Sequence, residues 1–337
     1  MDPISHVSLG RILIAAGGAR ERATDRPVRG TVAAALLGAL SPDIDSIVMP
    51  FGWDRYLRVH EIGTHTILGT VACGLLTAAV VRICARSTYA TLAAAAWIGA
   101  ASHVLLDLLS SARLRPGWPV VDTVVSLPVV AMADPWLLTL CVAGALVSRY
   151  FRGRLPSRLM LGAFTLFALG KAGAGILAVD NYTTARDRAG EPITARAIEA
   201  EWAGVTGWRV FDRTARALRV WHTRVGAEAR VVLAWPFAEE PPAVTASRQL
   251  STVRNFLRTH ELVFAGVVPN ANDRSLVLWS DIRFCWDPDA PNAPQLEPVM
   301  QAGDQRLACA LWFGGEFDAS GQAVREIVTI GGFTQSR

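Results

Sequence analysis

Four of the chain's six histidines, His6, His60, His65 and His103, stand in its first third, beside Asp43, Asp45 and Asp107. Imidazoles and carboxylates together are ligands for divalent and transition metals, and such ions activate water. The sequence around them is strongly apolar. Ionisable side chains are costly in hydrocarbon and usually line a functional site when they occur there. A metal would offset their desolvation and hold their charge.

Each motif has a plain alternative. His103 and Asp107 form an H-x-x-x-D pair in GAASHVLLDLLSS, and positions i and i+4 share a helix face, so both can grip one ion. Taken alone, the pair would equally join two helices. Asp43-Ile-Asp45 follows Ser-Pro, and its spacing suits a chain leaving a helix. One carboxylate can bind an ion there while the other bridges to a second ion or orients a histidine. An ordinary helix-end turn has the same composition. In His60-Glu-Ile-Gly-Thr-His65, His65 is expected as a ligand at a helix start. His60 is either a second ligand or a general acid/base. Glu61 is a weaker candidate. His6 gains meaning only from its company.

The elements that must hold these residues are membrane helices. Hydrophobic residues make up 51% of the 337 and concentrate before position 180. Four stretches, about 64–85, 89–111, 133–149 and 158–179, approach the roughly 20 residues that cross a bilayer. Two shorter ones, about 4–19 and 30–49, are tilted spans or half-helices. If all six cross, residues 20–29, 82–88 and 149–157 share one side and carry most of the arginines, which makes that side cytoplasmic. His6, Asp43, Asp45, His60, His65, His103 and Asp107 then all reach the opposite side. The N-terminus lacks a basic region and a cleavage site, so an N-terminal membrane segment is expected to be retained. Lys171 is the only lysine, and the arginines form no basic patch with interleaved aromatics, so nucleic acid is not an expected partner.

After 180 the pattern changes. Trp208-Arg-Val-Phe, Leu218-Arg-Val-Trp-His, Arg230-Val-Val-Leu-Ala-Trp, Leu276-Val-Leu-Trp and Leu311-Trp-Phe read as strands, and 187–203 and 246–260 as helices. The predicted fold is therefore a polytopic α-helical membrane domain of four to six helices over 1–180. A small β-rich or α+β soluble domain follows over 181–337. Cys73, Cys84 and Cys141 read as packing residues. Cys285 and Cys309 can pair if their domain is extracytoplasmic, but the sequence does not show that they meet. His222 and His260 read as surface or structural, Asp281 and Arg283 as an ion pair, and the tryptophans of this half as core.

The N-terminal Asp-Pro-x-x-His, the Pro-Asp-x-Asp, the H-x-x-x-T-H and the S-H-x-x-x-D, in this order among membrane helices, resemble the YdjM-like inner-membrane metal-dependent hydrolases. The resemblance covers about residues 1–150 and extends loosely to Asp134-Pro135. In one departure, Glu61 stands where the family usually has arginine after the first histidine of a His-Arg-Gly-x-Thr-His pattern. A more distant likeness, to zinc-dependent phospholipase C and P1-type nucleases, hints at phosphoester chemistry.

These readings combine into a membrane-bound metallohydrolase at the outer face of a bacterial inner membrane, with one or two divalent ions, zinc expected. His6, Asp43, His65, His103 and Asp107 are the expected ligands. Asp45 or His60 would bridge ions or move protons. Arg113, Arg115 and Thr64 are candidates to hold an anionic group. The bilayer and a lipid or lipid-linked phosphoester are the expected partners. Asp134 is expected to cap the next helix, with Pro135 first in it. Lys171 would snorkel, pair with a carboxylate or meet a substrate phosphate. The alternative is a non-enzymatic metal-binding scaffold or transporter. A transporter would show polar residues continuing across the bilayer, and here they cluster at one face.

Overall fold

The computed structural model describes every residue except 22–23, 61, 238–239, 271–273, 290–295, 303, 332 and 337. The chain divides into two compact units. The first comprises residues 1–50, 59–178 and 199–208, and the second 51–58, 179–198 and 209–337.

Eight helical segments precede residue 190 among the described residues: α1 (Pro3–Gly17), α2 (Thr31–Leu40), a 3₁₀ helix (Ser41–Phe51), α3 (Trp53–His60), α4 (Ile67–Cys84), α5 (Tyr89–Leu109), α6 (Pro135–Tyr150) and α7 (Leu155–Ala189). Four segments are long and apolar enough to cross a membrane: Thr31–Phe51, α4, α5 and α7. The stretch 30–49 is thus long enough for a span, because the 3₁₀ helix extends α2. The stretch 133–149 is a correction in the other direction. It forms α6, whose 16 residues reach only about 24 Å against a hydrocarbon core of about 30 Å.

Local chemistry starts these helices where they start. The Asp2 carboxylate accepts from Ser5 N at 2.8 Å, with Pro3 at the first position of α1. Thr66 accepts from Gly69 N to cap α4. Asp134 accepts from Trp136 N and Leu137 N to cap α6, with Pro135 first in it, as expected.

Small residues set how closely α2 and α5 pack. A Cβ on Gly99 would lie 2.1 Å from Ala35 O, and one on Gly38 would lie 2.1 Å from Ala96 O. Small interface residues let membrane helices approach until their backbones touch. This contact fixes the end of α2, and the chain leaving it, against the middle of α5.

Segment 199–208 completes the first unit. The Trp208 indole donates to Pro128 O at 2.7 Å, and the Trp136 indole to Ala203 O at 2.9 Å. Lys171 is 2% exposed. Its ammonium donates to Asp134 Oδ2 at 2.9 Å and Gly204 O at 2.8 Å. Of its three readings, the carboxylate pair is the one observed.

The second unit is β-rich. One sheet runs β1 (Ala195–Ala200), β2 (Gly207–Arg213), β3 (Ala217–Arg224) and β4 (Ala227–Pro236), in that order. Two short helices follow, α8 (Pro242–Ser247) and α9 (Ser251–Thr259). The next strands are β5 (Val263–Asn270), β6 (Arg274–Asp281), β7 (Cys285–Trp286), β8 (Val299–Ala302) and β9 (Gln305–Cys309). The last are β10 (Leu311–Phe317), β11 (Ala323–Ile330) and β12 (Phe333–Ser336). They form a five-stranded sheet, β12-β11-β10-β6-β5, and a three-stranded one, β7-β9-β8.

All five segments read as strands are strands. Region 246–260 is helical but broken in two. Region 187–203 is corrected. The helix stops at Ala189, Gly190 takes a φ of +69° that favours glycine, and Ala195–Ala200 pairs into a sheet. Cys285 and Cys309 face each other across β7 and β9 and form a disulfide. Asp281 and Arg283 pair at 2.9 Å. His260 is buried, as are Trp208, Trp221, Trp235, Trp279 and Trp312. His222 lies on β3. Cys73 and Cys141 are buried, whereas Cys84, at the last position of α4, is exposed.

Candidate metal centre

The seven residues all belong to the first unit and come to one place from five elements. His6 comes from the first turns of α1, and Asp43 and Asp45 from the 3₁₀ helix. His60 ends α3, His65 precedes α4, and His103 and Asp107 share a face near the end of α5. Leaving α2 at Ser41-Pro42 is what brings two carboxylates, spaced i and i+2, back beside α5.

Asp107 is the hub. Its Oδ2 lies 3.0 Å from His103 Nε2 and 3.5 Å from His65 Nε2, and its Oδ1 lies 3.4 Å from His6 Nε2. Oδ1 is also 2.7 Å from the Met1 amino nitrogen. Asp43 Oδ1 lies 3.4 Å from His103 Nε2 and 3.6 Å from His65 Nε2. The rings of His6 and His103 stack at 3.8 Å.

Two ligand groups result, His6–His103–Asp107 and Asp43–His60–His65, each with its ligand atoms within 4.8 Å of one another. They are contiguous, because both Asp43 and Asp107 approach His65 and His103.

The outer nitrogens fix the tautomers. His103 Nδ1 lies 2.7 Å from Ala39 O, a carbonyl in the last turn of α2. Only a protonated Nδ1 can donate there, so in the neutral ring Nε2 carries the lone pair. Thr64 Oγ1 lies 3.2 Å from His65 Nδ1 and 3.2 Å from Asp45 Oδ2. The hydroxyl donates to the carboxylate and accepts from the imidazole, which in the neutral ring again puts the lone pair on Nε2. Outer-atom hydrogen bonds of this kind orient metal-bound histidines.

Nε2 of His6, His65 and His103 are all buried and lack a hydrogen-bond partner. Buried polar atoms are nearly always satisfied. Three orphaned lone pairs converging on two carboxylates fit a cation, and the donor set suits zinc or another divalent transition metal.

Residues 1–179 match the model of the YdjM inner membrane protein family. The chain belongs to that family. No curated protein and no solved structure matches it. In this YdjM protein the family match covers both ligand groups, and the β-rich unit lies largely outside it.

The remaining candidates differ in position. His60 Nδ1 is 3.0 Å from Asp45 Oδ2, and its side chain is 30% exposed. Thr64, a candidate to hold an anionic group, links Asp45 to His65. Arg115 pairs with Asp122 on the loop after α5, and Arg113 is half-buried on that loop. Glu61 lies outside the described residues. Sequence reasoning missed Ala39, because its carbonyl carries no side-chain signal.

Proposed function

We propose that this YdjM protein is a membrane-bound metal-dependent hydrolase with two adjacent divalent-ion sites, zinc being the favoured metal. The single observation carrying this reading is the convergence of the three orphaned Nε2 atoms on Asp43 and Asp107. His6, His103 and Asp107 would hold one ion, and Asp43 and His65 the other. A bound divalent ion acidifies water toward neutral pH and polarises the bond to be cleaved.

The protein's own groups complete the chemistry. Asp45 orients His60 through Nδ1, and an imidazole held this way would serve as the base for an attacking water. As water adds, the phosphoester bond breaks and the leaving alcohol recovers a proton. The first group is buried, but Asp43 and His60 remain 36% and 30% exposed. Such an opening favours catalysis over a scaffold, whose metal would be closed in.

Depth favours a lipid substrate. At 1.5 Å per residue His6 stands roughly 17 Å from Gly17, and His103 roughly 21 Å from Tyr89. In a hydrocarbon core of about 30 Å the centre then lies in the outer half, roughly 9–13 Å below the ester level of one leaflet. With α1 and α6 counted as short crossings, the arginine-rich loops 20–29, 82–88 and 149–157 share the opposite side, which supports an extracytoplasmic centre. On that count of six, the chain after α7 would emerge on the same side as the centre. Arg113 and Arg115 remain candidates for an anionic headgroup.

Elemental analysis of the detergent-purified protein beside His103→Ala tests the reading. One to two transition-metal ions per chain, lost in the variant, justify assays on phospholipids and lipid-linked phosphates. A wild type that holds no metal and takes up none would overturn it.

A further inference from the structure

The loop between α5 and α6 is a built structure. Leu114 and Val125 exchange backbone hydrogen bonds at 3.0 and 2.8 Å. Ala112 N donates to Asp107 O and Leu127 N to Leu108 O, which ties the stem to the end of α5 that carries Asp107. Ile67 N donates to Pro116 O at 2.9 Å, which ties the loop to α4 two residues after His65.

The tip of this loop is apolar and turned outward. Val120 is 84% exposed, Val121 53% and Trp118 37%, while Leu114 in the stem is 2% exposed. The tip is also a closed turn. Trp118 N donates to Arg115 O, and Val120 N and Val121 N both donate to Gly117 O. Pro119 has no N–H to satisfy. Amides satisfied within the turn lower the cost of entering an apolar phase, a cost that an open loop would meet in full. Ile67 and Leu68, 65% and 62% exposed at the start of α4, continue the same apolar surface beside the Ile67–Pro116 hydrogen bond.

We propose that residues Trp118–Val121 form a lip inserted into the lipid leaflet beside the metal centre, packing against acyl chains. The occupant follows from continuity. The tip adjoins the first turn of a membrane-spanning helix, where lipid is the neighbour. Tryptophan at the border and valines beyond it are the composition of an interfacial anchor. The insertion does not depend on hydrolase activity. Combined with the proposed function, it means that substrate reaches His65 and Asp107 laterally from the bilayer.

The test uses the full chain in lipid nanodiscs. In a Cys84→Ser background, Val120→Cys carries a nitroxide label, and Gln322→Cys, on an exposed turn of the second unit, is the aqueous control. Collision rates are read with oxygen, which partitions into lipid, and with chromium oxalate, which stays in water. The lip predicts that oxygen collides severalfold more often than chromium oxalate at 120, with the order reversed at 322. Free access of chromium oxalate to 120 would overturn the proposal. So would protection from both reagents, which would mean a protein partner. Metal content of the same labelled samples reports separately on the metal centre.

Discussion

His103 donates its Nδ1 proton to the carbonyl oxygen of Ala39 at 2.7 Å. One hydrogen bond thereby satisfies a helix-end carbonyl that α2 leaves open, locks α5 to α2, and turns Nε2 toward Asp43 and Asp107. Packing and ligand preparation are the same contact.

The two roles separate in a His103→Asn variant. The asparagine amide can replace Nδ1 as donor to Ala39 but has nothing to offer at Nε2. Thermal unfolding in detergent should stay near wild type while bound metal is lost. An equal loss in His103→Ala, with a lower Tm, would show the contribution of the Ala39 contact.

Thr64 relays between Asp45 and His65. Thr64→Val keeps the shape and removes the hydroxyl, so metal affinity should fall about 10- to 100-fold, the usual effect of losing an outer partner. Thr64→Ser should restore it. Competition with a chromogenic chelator reads both.

Gly99 lets α2 and α5 touch. Gly99→Ala places a methyl against Ala35 O, and overpacking of this kind costs about 1–3 kcal/mol. Unfolding temperature and metal content should fall together, because the same shift moves His103 away from Asp43. The equivalent change at Gly162, whose added Cβ meets nothing within 4 Å, should affect neither.

In the second unit, Glu326 caps α9. Its carboxylate accepts from Ser251 N at 2.9 Å, Ser251 Oγ at 2.9 Å and Thr252 N at 3.1 Å. Partial burial opposes its charge, but these bonds outweigh burial and hold its pKa below the ordinary 4.5. A lowered folded-state pKa stabilises above the unfolded pKa and is lost as pH falls through the folded one. Stability of this unit should therefore decline below about pH 4.5, and Glu326→Gln should flatten that decline. Tryptophan fluorescence across an acid titration measures it.

The candidate ligands were legible because polar residues in apolar helices have few other reasons to be there. Asp43, His65, His103 and Asp107 converge although they span 64 positions of the chain, since antiparallel helices return to one end. The strands around Trp208, Trp221 and Trp279 were legible from alternation with Val and Leu. Region 187–203 was not. Its Ala, Arg and Glu are good helix formers, and the pairing of β1 with β2 overrides that local preference. The partner of Lys171 was equally hidden, because Asp134 is 37 positions away and Gly204 contributes only a carbonyl.

The burial of Lys171 has a practical side. The chain carries no other lysine, so the folded protein offers amine-directed reagents no side-chain target. Acylation by a succinimidyl ester at residue 171 would mark only molecules in which the ammonium has left Asp134 and Gly204. A covalent tag at residue 171, located by mass spectrometry apart from any on the Met1 amine, thus becomes a clock for how often segment 199–208 comes away from the helices.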